Sequence, residues 1–169
     1  MRRHKMLVLV LALMLSLGLA GSALAASPGD TVKAYFAAAA KGNFDGMKKL
    51  TTGRANENIQ KASPQAKQII PGMGAAFQKV TDVKVTGDKA TAIAHLDPVK
   101  VAKVMWDMGK ANLAKIKDPK QRAQAEKFMK TMFEKMALQI SRLKVDLVKK
   151  GGAWLISNAG PLKKAKPVK

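Results

Sequence analysis

The sequence predicts an α+β fold, and three observations lead there. Apolar and polar residues alternate with a period of two over residues 80–96 and again over 138–157, each time around a glycine-bearing turn. Ahead of these stretches and between them, apolar residues recur at the 3.6-residue spacing of amphipathic helices. Helical and extended segments come in separate blocks, the pattern of an antiparallel sheet with helices gathered on one side. The expected architecture is one sheet of about four strands made from two β-hairpins, packed on N-terminal helices, with a helical hairpin inserted between the β-hairpins.

Each element has its own signals. Ser27-Pro28-Gly29-Asp30 opens the first helix, with Ser27 or Asp30 as cap and Pro28 in the first turn. Val32, Tyr35, Phe36 and Ala39 make its apolar stripe, and Gly42 stops it. Asn43-Phe44-Asp45 starts a short second helix running to Leu50. Between Thr51 and Lys79 the pattern weakens, and Pro64 and Pro71-Gly72 read as breaks between short helical pieces. The first hairpin turns at Gly87-Asp88, and its return strand sets Ala90, Ala92, Ala94 and Leu96 against Thr91, Ile93 and His95. Apolar residues on both faces point to a central strand covered on both sides. Asp97-Pro98 caps a helix carrying Val101, Val104, Met105, Met108, Asn112 and Ile116. Asp118-Pro119 breaks it, and a second helix follows with Phe128, Met129, Met132, Phe133 and Met136 on one face and Glu126 and Lys130 opposite. The last hairpin alternates Leu143, Val145 and Leu147 with Lys144 and Asp146, turns at Lys150-Gly151-Gly152 and closes through Ala153-Trp154-Leu155-Ile156-Ser157. Residues 161–169 are rich in Lys and Pro and read as a disordered basic tail.

Met1-Arg2-Arg3-His4-Lys5, an apolar run to Ala20 and Ala23-Leu24-Ala25 form the three-part pattern of a signal peptide cleaved after Ala25. Export is therefore expected, to a periplasm or the outside, with no transmembrane segment left after cleavage and a single domain over residues 26–160. The chain has 169 residues, 31 Lys+Arg against 11 Asp+Glu and no Cys. Losing Arg2, Arg3 and Lys5 lowers the formal +20 by three and leaves a strongly basic domain. The absence of Cys excludes disulfides, thiol nucleophiles and thiolate metal sites, so packing alone must supply stability. Beyond the leader His95 is the sole imidazole, which excludes a His-rich metal site; no metal or cofactor is expected. Gly72-Met73-Gly74 lacks the rest of a phosphate-cradling loop. The cations are almost all lysines spread along helix faces, without a nucleic-acid recognition motif. A lysine-rich solvated surface is the plain reading, and docking on an anionic envelope polymer or lipid is the sharper one.

Thr31-Val32-Lys33-Ala34-Tyr35-Phe36 with Lys41-Gly42-Asn43-Phe44-Asp45-Gly46-Met47, then Val83-Lys84-Val85-Thr86-Gly87-Asp88-Lys89-Ala90-Thr91, then Val148-Lys149-Lys150-Gly151-Gly152-Ala153-Trp154-Leu155-Ile156 resemble the conserved stretches of small exported members of the nuclear transport factor 2-like, or ketosteroid isomerase-like, superfamily. The resemblance implies a curved, cone-like sheet wrapped around a helix, with a mouth that holds a small apolar ligand. The helical hairpin over residues 98–137 departs from the family's compact pattern. Members include isomerases, cyclases, dehydratases and non-catalytic modules, so function rests on the site.

Candidate ligand-binding side chains are Tyr35, Phe36, Trp106 and Trp154. Candidate catalytic groups are His95, Asp82 and Asp97, with Asp107 behind them; a carboxyl or imidazole beside an apolar pocket can serve as general base. Against that, Asp82 alternates outward, Asp97 has the place of a helix cap, Asp107 sits among lysines, and no pair has diagnostic spacing. The expected function is binding of a small apolar ligand or a protein partner without catalysis; an isomerase- or cyclase-type enzyme with an Asp or His base is the alternative. The methionines of the helical hairpin read as a packed seam, with adaptable partner binding or thioether coordination of Cu(I) as sharper readings.

Overall fold

The structure, a computed structural model, describes residues 26–162. The expected signal peptide and most of the basic tail lie outside the described residues. The elements run α1 (Pro28–Ala40), α2 (Phe44–Lys49), α3 (Gly53–Gln60), α4 (Pro64–Ala75), β1 (Phe77–Thr86), β2 (Lys89–Leu96), α5 (Pro98–Leu113), α6 (Pro119–Ile140), β3 (Arg142–Lys150) and β4 (Ala153–Pro161). The strands form one open antiparallel sheet in the order β1-β2-β3-β4. The expected α+β architecture is thus present, with α1 lying across one face of the sheet.

Short polar side chains set the helix starts, because each oxygen accepts from an otherwise orphaned backbone N–H. Ser27 caps α1, Asn43 caps α2, Ser63 caps α4, Asp97 caps α5 and Asp118 caps α6. Gly42 follows α1 at φ 64° in the left-handed region. The two hairpin turns sit where glycine predicts them, with Thr86 opposite Lys89 and Lys150 opposite Ala153.

The core lies between α1 and the sheet. Val32, Phe36, Ala90, Ala92, Ala94, Leu96, Val145, Leu147, Trp154 and Ile156 are all buried in it. The alanine row on β2 matters: three small side chains let α1 approach, while Phe36 stacks on Phe77 at 4.7 Å beyond the end of the row. Thr31 Oγ1 donates to the carbonyl of Trp154 and ties α1 to β4. The segment after α2 docks on β4 through Thr52 N to Ile156 O (2.8 Å) and Ile156 N to Leu50 O (2.9 Å). Part of an exposed sheet edge is thereby covered.

Several expectations need correcting. Pro71 does not break a helix; it lies inside α4. Proline at such a position typically costs about 3 kcal/mol, and tertiary packing outweighs it. Gly74 brings α4 against the backbone of Ala39 and Ala40 in α1, and Gly72 brings it against Val104 in α5. The first hairpin begins at Phe77 rather than at 80, since Phe77 pairs with Leu96. Residues 138–140 end α6 instead of opening β3, and β4 continues through Pro161, which pairs with Leu143, so the tail begins later than its composition implies. Central strand β2 is covered on one face only: its alanines are buried, whereas Thr91, Ile93 and His95 are half-buried on a face that no helix among the described residues covers.

Candidate binding groove

The helical hairpin of α5 and α6 buries Val101 and Ala137 against the core on one side and leaves a groove along another. Near the loop end Gly109 lets the helices meet, its Cα facing Met129 and the ring of Phe133, and Leu113 is buried nearby. Toward the sheet, Val99, Ala102 and Trp106 form one stripe of α5 at i, i+3, i+7. Facing them on α6 are Glu126, Lys130, Phe133 and Glu134, and the two helices enclose a cavity of about 390 Å³. A second cavity of about 280 Å³ continues it past Pro98, Val99, Ala102, Glu134 and Leu138. Val99 and Leu138 are 76% and 66% exposed, far more than a packed seam would leave. Trp106 and Phe133 give the groove an aromatic wall, and Lys103, Lys130, Glu126 and Glu134 rim it with both charges. Charged residues at these α6 positions explain the opening, because they stay solvated and do not fill the space that Leu or Phe would fill.

The methionine seam is therefore only partly a seam. Met105 packs against the core, but Met108 and Met136 are exposed and Phe128 is 69% exposed. Glu126 and Lys130 lie on the groove rim beside Phe133, not on the opposite face.

The remaining candidate residues do not converge. Phe36 and Trp154 are core side chains, Trp154 with the Lys149 ammonium 6.0 Å from its ring. Tyr35 borders a small cavity of about 130 Å³ with Ala55, Ile59, Ile70, Ile156 and Ala159, and burial pushes its hydroxyl pKa up. Trp106 is the one of the four aromatic candidates that lines the groove. Asp97 is engaged as a cap, accepting from Val99 N at 2.9 Å and Lys100 N at 3.3 Å. Asp107 lies between Lys110 and Lys103, both at 2.9 Å, and these hydrogen bonds hold its carboxyl below the ordinary range.

His95 and Asp82 are linked, on the uncovered face of the sheet. His95 Nε2 lies 2.8 Å from Thr81 Oγ1, and Thr81 Oγ1 donates to Asp82 Oδ2 at 2.8 Å. With the threonine proton directed at Asp82, the imidazole Nε2–H is the donor to Thr81. Asp82 sits at φ 51° in a β-bulge between Thr81 and Lys84, a conformation that Asp tolerates better than most residues. His95 is held below the ordinary histidine pKa, first by desolvation and then by Arg142 and Lys79, with Asp82 opposing. None of the cavities described above is lined by this trio. Among the described residues no group of three or more His, Cys, Asp or Glu gathers as a metal site would require.

Thr81, Val99 and Leu138 are not among the candidate residues of the sequence, and Phe133 reads there as part of the helix seam. The i, i+3, i+7 spacing of Val99, Ala102 and Trp106 was the available signal for the groove. A bulge has no comparable signal, and the bulge is what joins Asp82 to His95.

No protein-family model, curated protein or solved structure matches the chain.

Proposed function

We propose that the protein is a non-catalytic binding domain that takes a small apolar ligand in the groove between α5 and α6. The observation that carries this reading is the groove itself: a cavity of about 390 Å³ with Val99, Ala102, Trp106 and Phe133 as its apolar lining and Lys103, Glu126, Lys130 and Glu134 as its charged lining. That volume falls within the roughly 300–1,000 Å³ usual for small-molecule sites, and an apolar wall with a few polar groups is their usual composition. The resemblance to nuclear transport factor 2-like domains would place a ligand against the sheet instead. In this chain Phe36, Phe77 and Trp154 pack on that side, and the cavity beside Tyr35 there measures only about 130 Å³, so the groove of the inserted hairpin is the better seat. The His95–Thr81–Asp82 trio lines none of the cavities described above, so the groove is preferred over the catalytic alternative.

Titration with the neutral fluorophore N-phenyl-1-naphthylamine tests the proposal. Saturable enhancement with quenching of Trp106 is expected, and Ala102→Trp, which fills the groove, should weaken binding at least about tenfold, a cost of about 1.4 kcal/mol. Equal binding by Ala102→Trp, with its circular dichroism intact, would refute the groove as the site. Native mass spectrometry of gently purified protein provides a second readout, since a reproducible added mass should disappear in the same variant.

A further inference from the structure

We propose that the uncovered face of the sheet is a docking surface for an anionic phospholipid bilayer. The strand register composes this face. Lys79, His95 and Arg142 stand side by side on β1, β2 and β3. In the next rows Thr81, Ile93 and Lys144 are neighbours, then Lys84, Thr91 and Asp146, then Thr86, Lys89 and Val148, with Lys150 at the tip of the last hairpin. Strands in a sheet lie about 4.8 Å apart, so the cations form a two-dimensional array rather than a line. Lys79, Lys84, Lys89, Arg142, Lys144 and Lys150 are exposed. Two acids share the face and both are engaged: Asp146 with Lys144 at 3.0 Å and Asp82 with Thr81. Lys79 and Arg142 already act on His95 as a positive field.

Charge complementarity selects the occupant. A second copy of this face would set like charges against each other. Trp154 and Phe77 pack on the opposite, covered side, so the face offers no aromatic platform for bases, which sequence-tolerant single-strand binding uses. Lysine heads spread across three strands suit a diffuse anionic plane, where each basic residue strengthens binding about fivefold. Ile93, Val148 and Leu155 are half-buried within the sheet surface and protrude little, so attachment is electrostatic and reversible by salt.

The test is cosedimentation of the protein beginning at Ala26, which keeps every core residue named above, with phosphatidylcholine vesicles with and without phosphatidylglycerol. Binding to the anionic vesicles alone is expected, and raised salt should abolish it. Lys79→Glu/Arg142→Glu should lower it at least about 25-fold, as should Lys84→Glu/Lys89→Glu. Lys117→Glu/Lys127→Glu, which makes the same change in net charge on the helical hairpin, should leave most of it. Equal loss in the hairpin variant would show that net charge rather than this face is responsible and would overturn the proposal. Absence of vesicle binding would overturn it, as would binding to soluble polyphosphate in place of vesicles. So would a dimer in analytical ultracentrifugation that Lys79→Glu/Arg142→Glu dissociates, since that assigns the face to a second copy.

Discussion

The seam between α1 and the sheet is closed, whereas α5 and α6 leave a groove along one side of their seam. Both use small residues to bring elements together. On the sheet, Ala90, Ala92 and Ala94 face a helix whose own contacts are Val32 and Phe36, and large and small side chains interlock around the Phe36–Phe77 stack. In the hairpin, Gly109 brings the helices together against Met129 and Phe133, but the groove side of α6 carries Glu126, Lys130 and Glu134. Close approach is only half of packing. The facing residue must also be apolar, or the space remains a groove.

The largest expected effect breaks the closed seam. Phe36→Ala should cost about 3 to 5 kcal/mol, the range for truncating a buried aromatic that loses both its transfer energy and its packing. Phe128→Ala, on the exposed side of α6, should stay within about 0.5 kcal/mol. Urea denaturation of the two variants measures the contrast directly. Comparable losses would mean that Phe128 is covered in solution and that the hairpin has a partner surface there.

Two glycines sharpen the comparison at intermediate scale. A Cβ at Gly74 would press into the backbone of Ala39 and Ala40, which cannot move without shifting α1. Gly74→Ala should therefore destabilise by about 1 to 3 kcal/mol, as overpacking does. A Cβ at Gly109 would meet the tip of Met129 and the edge of Phe133, side-chain atoms beside an open groove that have room to yield. There the gain in helix propensity, about 1 kcal/mol, should nearly offset the crowding, leaving Gly109→Ala within about 1 kcal/mol of the parent. Thermal unfolding of both variants tests this; a large loss at Gly109 would mean that the open seam is as rigid as the closed one.

How much of this was legible follows the same division. Alternation over β2 and β3 and the stripe of Val32, Tyr35 and Phe36 were readable because one face of each is buried, which imposes a strict period. The turns and caps were readable because Gly and short polar side chains do local work. Pro71 misled because its local cost is outweighed by contacts with α1 and α5 that sequence spacing cannot reveal. Residues 138–140 misled because a helix end and a strand start carry the same Leu and Ile over so short a run. The groove was half legible: Trp106 stood out as a large aromatic, but its partner Phe133 was counted as seam, since nothing local says which part of a helix pair stays open.

The bulge at Asp82 gives a smaller effect. Asp82→Ala loses the Thr81 bond and places an ordinary L residue at φ 51°, so a cost of about 1 to 2 kcal/mol is expected. Asp82→Gly loses the same bond but relieves the backbone and should cost less than Asp82→Ala. If the order is reversed, the side-chain bond rather than the backbone sets the energetics of the bulge.

The smallest effect belongs to His95, and it separates the two faces of the sheet. The alanine face of β2 carries no titratable group, so any pH response of this strand must come from the uncovered face. Desolvation, Arg142 and Lys79 disfavour the imidazolium in the folded protein, with Asp82 opposing them, and the net shift lies below the ordinary value of 6.5. The unfolded chain then binds the proton first, and stability is full above that value and declines as pH falls from it toward the folded pKa. Carboxylates titrate mostly below about pH 5, which leaves a window between about pH 5.5 and 7 in which His95 dominates. His95→Gln should flatten the stability profile in that window, and Lys79→Ala should raise the imidazole pKa in a proton NMR titration. A slope that survives His95→Gln would mean that another group titrates in that window, and an imidazole pKa unmoved by Lys79→Ala would mean that Lys79, His95 and Arg142 do not stand in one row in solution. The electrostatic array on the uncovered face would then have to be redrawn without its central member.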